Sequence, residues 1–452
     1  MASTRLEKTF TASNRKTFTI STWVKRSAQT VNNTIYSAGT HDATDRDYFV
    51  FLQDSGEEDK LYFNAKVSNS VVAQFYTSRR FRDISAWYHI VLAFDTTQAT
   101  DTNRMKLYVN GEQQTYQSVT YPSQNQDMNT NNTVHKIGAT VGNGQYFDGS
   151  MTHFNFIDGT AYTPTSFGET DSTSGIWKPK TAPSVTYGTN GFFLKFENSG
   201  AMGTDSSGNS NTFTVGGGTL TQNVDTPSNN FATMNPLDNY FANSTFTNGN
   251  LSIATVTGND TFNNSTLGYS TGKFYWETKA TQVSTNNYDQ IGITSKGSTA
   301  SNNYMSSSLY SVVIKQDGNL WQNAGSGSGA VSGWSGSSWT TGDIIGIAHD
   351  ATNNKIYVHK NGVYMNSGNP STGANGITTT ASSSTDTGVW LAGVGDEISS
   401  GTASQFALNF GQGYFGTTAV ASAGTAPSEG GIFEYDCPSG FQALCTKGIN
   451  SF

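Results

Sequence analysis

The chain has 452 residues, enough for two or three domains each with its own core. A formal net charge of −8 with only 13% charged residues excludes the basic footprint that phosphate backbones need, so no nucleic acid is expected as a partner. Aromatic residues at 12% exclude a disordered chain, and no apolar run approaches the ~20 residues of a membrane helix, so no membrane insertion is expected.

In chain order, MASTRLEKTFTASNRKTF carries no apolar stretch of the kind that opens a secretory leader, and synthesis in a cytoplasm is expected. Short alternating or aromatic-rich runs follow: TFTISTWVKR, TIYSAGT, YFVFLQD, KLYFNAKV, WYHIVLAFD, MKLYVNGE, HKIGATVG, MTHFNFIDG and GFFLKFEN. Runs of this length, separated by Gly, Asn and Ser and without helical periodicity between them, predict an all-β sandwich. In WYHIVLAFD, alternation puts Tyr88, Ile90, Leu92 and Phe94 on one face and Trp87, His89, Val91 and Ala93 on the other. Both faces are largely apolar, which predicts an inner strand covered on both sides. Between about 216 and 240 the strand pattern lapses, marking a crossing between domains. The rhythm resumes with KFYWETKA, YDQIGITS, LYSVVIKQ, DIIGIAHD, KIYVHKNG, VWLAGVGD and FALNFGQ, with GSGSGAVSGWSGSSW (325–339) expected as a long surface loop. MKLYVNGE and KIYVHKNGV both run into Asn-Gly, a strong hairpin signal. The fold class is therefore all-β, two jelly-roll-type β-sandwiches in tandem: 1–220, a linker 221–240, 241–418, and a C-terminal extension 419–452. Cys437 and Cys445 near the end would close one short loop at most if they paired.

NRKTFTISTWVKR, WYHIVLAFD, KLYVNGE and MTHFNFIDGTAYTPTSFGETDSTSGIWKPK give the first half a resemblance to the laminin-G-like, concanavalin A-like sandwiches of marine bacteriophage structural proteins. GKFYWETKA, GDIIGIAHDATNNKIYVHKNGV and FALNFGQGYF make the second half similar to a SPRY domain, and FEYDCPSGFQALCTKG resembles a segment that follows such domains in the same phage proteins. The resemblance implies a non-catalytic pair of binding modules in a virion, as capsid decoration, tail fibre or tail adaptor. Their implied partners are other virion proteins and host-surface glycans, with homo-oligomerisation following the particle's symmetry.

The chemical candidates are few. Gly268-Tyr269-Ser270-Thr271-Gly272 matches the nucleophile-elbow pattern, but a strand follows where the elbow needs a helix. Glu57-Glu58-Asp59, Glu169 with Asp171, and Asp396-Glu397 do not alternate within a strand as paired glycosidase acids do, and are expected to be solvated turn acids. Asp205-Ser206-Ser207-Gly208-Asn209 offers oxygen ligands suited to calcium, the one cofactor considered, through Asp205 and Asn209; an Asx-turn is the competing reading. The six histidines show no zinc spacing. His349 and His359 fall at strand ends beside turns, where water is expected to compete for them. Trp321, Trp334, Trp339, Tyr146 and Tyr304 sit among Asn, Ser and Gly and are the candidate ligand-binding residues, since pyranose C–H faces stack on aromatic rings. The opposing reading turns the tryptophans inward. A non-catalytic binder is the leading expectation; a sandwich hydrolase built from acids distant in sequence and a bacterial surface adhesin are the alternatives.

Overall fold

The computed structural model describes residues 3–173, 175–238, 243–286, 288–295, 304–397 and 401–452. They divide into two units, Met1–Gln222 and Asn223–Phe452, both built almost wholly from antiparallel strands.

In the first unit an eight-stranded sheet runs in the order Tyr116–Thr120, Ser70–Arg80, Lys60–Val67, Asp45–Phe51, Asn33–His41, Val134–Ile137, Arg5–Thr9 and Thr214–Gly216. A six-stranded sheet runs Phe192–Leu194, Gly149–Asp158, Thr17–Arg26, Tyr88–Asp95, Met105–Val109 and Glu112–Gln113. Phe18, Ile20, Ile90, Leu92 and Phe94 from the smaller sheet pack on Phe49, Phe51, Phe63 and Phe75 from the larger. Each aromatic removed from water contributes on the order of 2–3 kcal/mol. The strand Tyr88–Asp95 is covered on both sides as its alternation predicts: Val91, on the face away from this core, packs with Ile157, Phe167, Tyr162 and Tyr187.

The second unit repeats the arrangement. Its larger sheet runs Thr245–Thr247, Ser252–Ala254, Gln405–Asn409, Lys273–Gln282, Ile344–Asp350, Lys355–Lys360 and Val363–Tyr364, with Ile377–Thr378 and Gln442–Ala443 attached. The smaller runs Thr261–Tyr269, Trp390–Asp396, Gln290–Thr294, Ser311–Lys315, Leu320–Asn323 and Ser328–Ala330. Trp276, Ile345, Ile347, Ile291, Ile293, Val312 and Trp390 fill the space between them.

Both Asn-Gly hairpins form. Asn110 and Gly111 have φ of 51° and 86°, and Asn361 and Gly362 have 49° and 82°, the paired left-handed conformations of a two-residue hairpin turn.

Two segments are more deeply integrated than their composition suggests. Within 221–240, Phe231, Ala232 and Met234 are buried in the second unit, because apolar side chains in a polar stretch still seek the core. Within 419–452, Gln442–Ala443 pairs in parallel with Phe274 and Tyr275, and Phe433, Cys437, Phe441 and Cys445 pack over Tyr275 and Tyr357. Both cysteines are free thiols. The stretch 325–339 is not a loop throughout: Ser328–Ala330 pairs with Trp321–Asn323.

Candidate functional site

Several sequence candidates are consumed by the fold. Trp339 is 2% exposed, and its indole N–H donates to the Lys315 carbonyl at 3.0 Å. Trp334 is half-buried against the core, with its N–H on the Gly318 carbonyl at 2.9 Å. Both fold inward because burial removes a large apolar surface from water while a backbone acceptor satisfies the one polar atom. Tyr146 lies alone in a loop of the first unit, its hydroxyl on the Asn143 carbonyl at 2.7 Å.

The proposed calcium turn does not fit the ion. One Asp205 carboxylate oxygen accepts the N–H groups of Phe193 and Ser207, and the other accepts the Asn211 N–H and the Ser207 hydroxyl. Asn209 donates to the Gly188 and Gly191 carbonyls. These are the bonds of an Asx-turn, with the lone pairs a cation needs already aimed at donors. Among the described residues no group of three or more His, Cys, Asp or Glu side chains could hold a metal ion.

Not all the turn acids are solvated. Asp59 is 6% exposed, held by Arg26 at 3.2 Å and Gln53 at 2.8 Å. Asp396 is fully buried, where it accepts the Thr261 hydroxyl at 2.7 Å, and burial pushes its carboxyl up to about 6. Glu169 and Asp171 do lie at the surface, paired with Lys178 at 3.8 and 2.8 Å.

His349 and His359 are not in contact with water either. His349 and His359 are 0% and 1% exposed, and burial lowers each to about 3. The sheet continues past both of them, and the segments after it close over the strand ends. His359 Nδ1 accepts the Gly362 N–H at 3.1 Å, so Nε2 carries the hydrogen and donates to the Tyr275 oxygen at 2.7 Å; Tyr275 donates onward to Glu277 at 2.9 Å. In the first unit His89 Nδ1 accepts the Trp177 N–H at 2.9 Å, so its Nε2–H donates to Ser21 at 2.9 Å. A histidine donating to serine is the wrong tautomer for activating it. The Gly268–Gly272 stretch joins two strands and has no helix behind Ser270.

One group of side chains does converge at a surface. On the outer face of the second unit's smaller sheet, Val313 pairs with Trp321, Gln290 with both Lys315 and Gly395, and Phe262 with Gly395. Period-two alternation then puts Asp260, Tyr288, Gln290, Lys315, Trp321 and Glu397 on this same face. Phe262, Met305, Val313 and Trp321 form its apolar floor. The Lys315 ammonium stands 4.2 Å from the Trp321 ring centroid, 5.5 Å from Tyr304 and 5.9 Å from Tyr288, and pairs with Glu397 at 2.7 Å. Its side chain is 7% exposed, whereas Tyr288 is 46% exposed and Trp321 and Tyr304 are half-buried. Burial, and then Glu397, raise the Asp260 carboxyl. The cation ties down three rings that would otherwise rotate, leaving a stiff aromatic surface edged by carboxylates. Of the predicted residues, the structure brings together Trp321 and Tyr304. Sequence reasoning missed Tyr288, Lys315, Gln290 and Asp260, and set Glu397 aside as a turn acid; finding them requires the strand register.

Residues 3–165 match the family described as the concanavalin A-like lectin/glucanases superfamily. The first unit thus has a concanavalin A-like fold. No curated protein sequence matches the chain. Among solved structures it is similar to the SPRY domain of human HERC1, at 17% identity over 39% of this chain and 96% of that one, with a TM-score of 0.29. It is also similar to domains LG4-5 of the mouse laminin alpha1 chain, at 10% identity over 96% of this chain and 92% of that one, with a TM-score of 0.29. It is likewise similar to a SAP-like pentraxin from Limulus polyphemus, at 16% identity over 35% of this chain and 71% of that one, with a TM-score of 0.27. Likenesses this distant say nothing about function.

Proposed function

We propose that the chain is a non-catalytic binding protein of a phage particle surface, taking saccharides on the Trp321, Tyr304 and Tyr288 face of its second unit. The observation that carries this reading is the fixing of three partly exposed rings around the buried Lys315. Ring faces accept the C–H faces of a pyranose, and Glu397 and Asp260 offer partners to its hydroxyls. The ligand class is neutral sugar: Lys315 is already committed to Glu397, and two carboxylates on the same face repel uronic or sulfated groups. The lectin-containing superfamily matched by the first unit supports a binding role. The virion setting, as capsid decoration, tail fibre or adaptor, rests on the sequence resemblance to phage structural proteins.

The test is titration of the intact protein against neutral and acidic oligosaccharides by calorimetry. Neutral saccharides should bind, and Trp321→Ala should weaken them at least tenfold, about 1.4 kcal/mol, with the melting temperature held within a few degrees. Equal binding by Trp321→Ala refutes the site. Release of reducing ends from the saccharide would replace the binder with the hydrolase.

A further inference from the structure

Directly behind the proposed site lie two buried carboxylates joined by one hydroxyl. Asp289 follows Tyr288 in the chain, and Asp396 precedes Glu397, so each acid is one peptide from a side chain of the aromatic face. Both are 0% exposed. Ser404 Oγ lies 2.5 Å from Asp289 Oδ1 and 3.2 Å from Asp396 Oδ2. Asp289 further accepts the Ser284 N–H at 3.0 Å, and Asp396 accepts the hydroxyls of Thr261 at 2.7 Å and of Thr255. Thr255 Oγ1 in turn accepts the Ser404 N–H at 2.8 Å, and its own hydrogen has the Asp396 oxygen as its close acceptor and the Ser404 carbonyl at 3.2 Å.

Counting hydrogens leaves one contact unfilled. Ser404 has a single hydroxyl hydrogen and two carboxylate neighbours. If it goes to Asp289, the Ser404 lone pairs face an Asp396 oxygen, and that contact is attractive only when Asp396 carries a proton to donate. If it goes to Asp396, the same holds for Asp289. Like charges sharing a hydroxyl in a dry site take up a proton for the same reason.

We propose that Asp289, Ser404 and Asp396 hold one shared proton, and that this proton positions Tyr288 and Glu397 for saccharide binding. The inference rests on the saccharide reading above. Burial raises both carboxyls, Asp396 to about 6, which sets the pH at which the proton is exchanged. The polar groups facing the pair are Thr255, Thr261, Ser284 and Ser404; the charged and titratable side chains across the same strands are Asp260, Lys315 and Glu397, on the sheet's other face. As pH rises the proton leaves, the two carboxylates repel, and the peptides bearing Tyr288 and Glu397 part. Asp289 and Asp396 are positioning residues and do not touch the ligand.

Two measurements on the intact protein decide it. Infrared difference spectra should show, beside the Glu277 carboxyl, a protonated carboxyl that titrates near pH 6 and is lost in Asp396→Asn, whose amide N–H supplies a permanent donor to Ser404; Asp289→Asn serves as the second variant if that one folds poorly. A neutral oligosaccharide should bind about tenfold more weakly at pH 8 than at pH 5.5, and less than twofold more weakly in the Asn variant. No carboxyl signal lost in the Asn variants, or a pH dependence they leave unchanged, overturns the proposal. A titrating carboxyl in a protein that binds no saccharide at any pH overturns the saccharide reading and the positioning role together, and leaves the shared proton standing.

Discussion

Replacing Glu277 with Ala should detach the C-terminal segment from the second unit. The Glu277 carboxylate is fully buried and accepts the Glu434 and Tyr435 N–H groups at 2.8 Å each, the Tyr275 hydroxyl at 2.9 Å and the Asn409 amide at 3.4 Å. Each buried donor left without a partner costs about 1–3 kcal/mol. The three close bonds therefore total roughly 3–6 kcal/mol once the relief of a buried carboxylate is subtracted. For a unit of this size that is a drop in melting temperature on the order of 6–20 °C, with new protease cleavage around 421–437. Burial pushes the carboxyl up to about 7 against the donors that lower it, and the sign follows from that. A folded value above the unfolded ~4.3 means the proton's contribution is complete below that value and is lost as pH rises through 7. His349 and His359, lowered to about 3, work in the opposite sense below pH 6.5, so the loss should be cleanest between pH 6.5 and 8. Glu277→Gln should remove that slope and destabilise less than Ala. An Ala variant that melts within a degree of the parent and gains no cleavage refutes the clamp.

Gly346→Ala should cost about 3 kcal/mol or more, because a Cβ there would stand 1.9 Å from His359 Nε2; urea unfolding measures it, and adding His359→Ala should recover part of the loss. In the first unit His89 and His135 are held near 3 by burial; a folded value below the unfolded ~6.5 means stability is full above pH 6.5 and falls in acid. Calorimetry should show that unit's transition moving down between pH 6.5 and 4.5. Asp205→Ala should lower stability by roughly 2–4 kcal/mol through its lost backbone acceptors, while added calcium leaves the parent's melting temperature unchanged. Trp339→Ala should cost about 3–5 kcal/mol as a core truncation, in contrast to Trp321→Ala at the surface.

The sequence determined the fold class through local rules. Alternation along Tyr88–Asp95, the paired Asn-Gly turns and the lack of helical periodicity each follow from backbone geometry within a few residues, and each is realised. The tertiary structure alone decided which polar residues meet water. Trp334, Trp339, Asp59, Asp396, His349 and His359 look alike in sequence to exposed turn residues, yet distant segments close over them. The aromatic face had the same dependence. Trp321 and Tyr304 were legible as aromatics in polar surroundings, but Lys315, Tyr288, Gln290 and Glu397 join them only through register across strands far apart in the chain. Alternation fixes which side of its own strand a residue takes; pairing between strands fixes its neighbours, and pairing is a property of the folded whole.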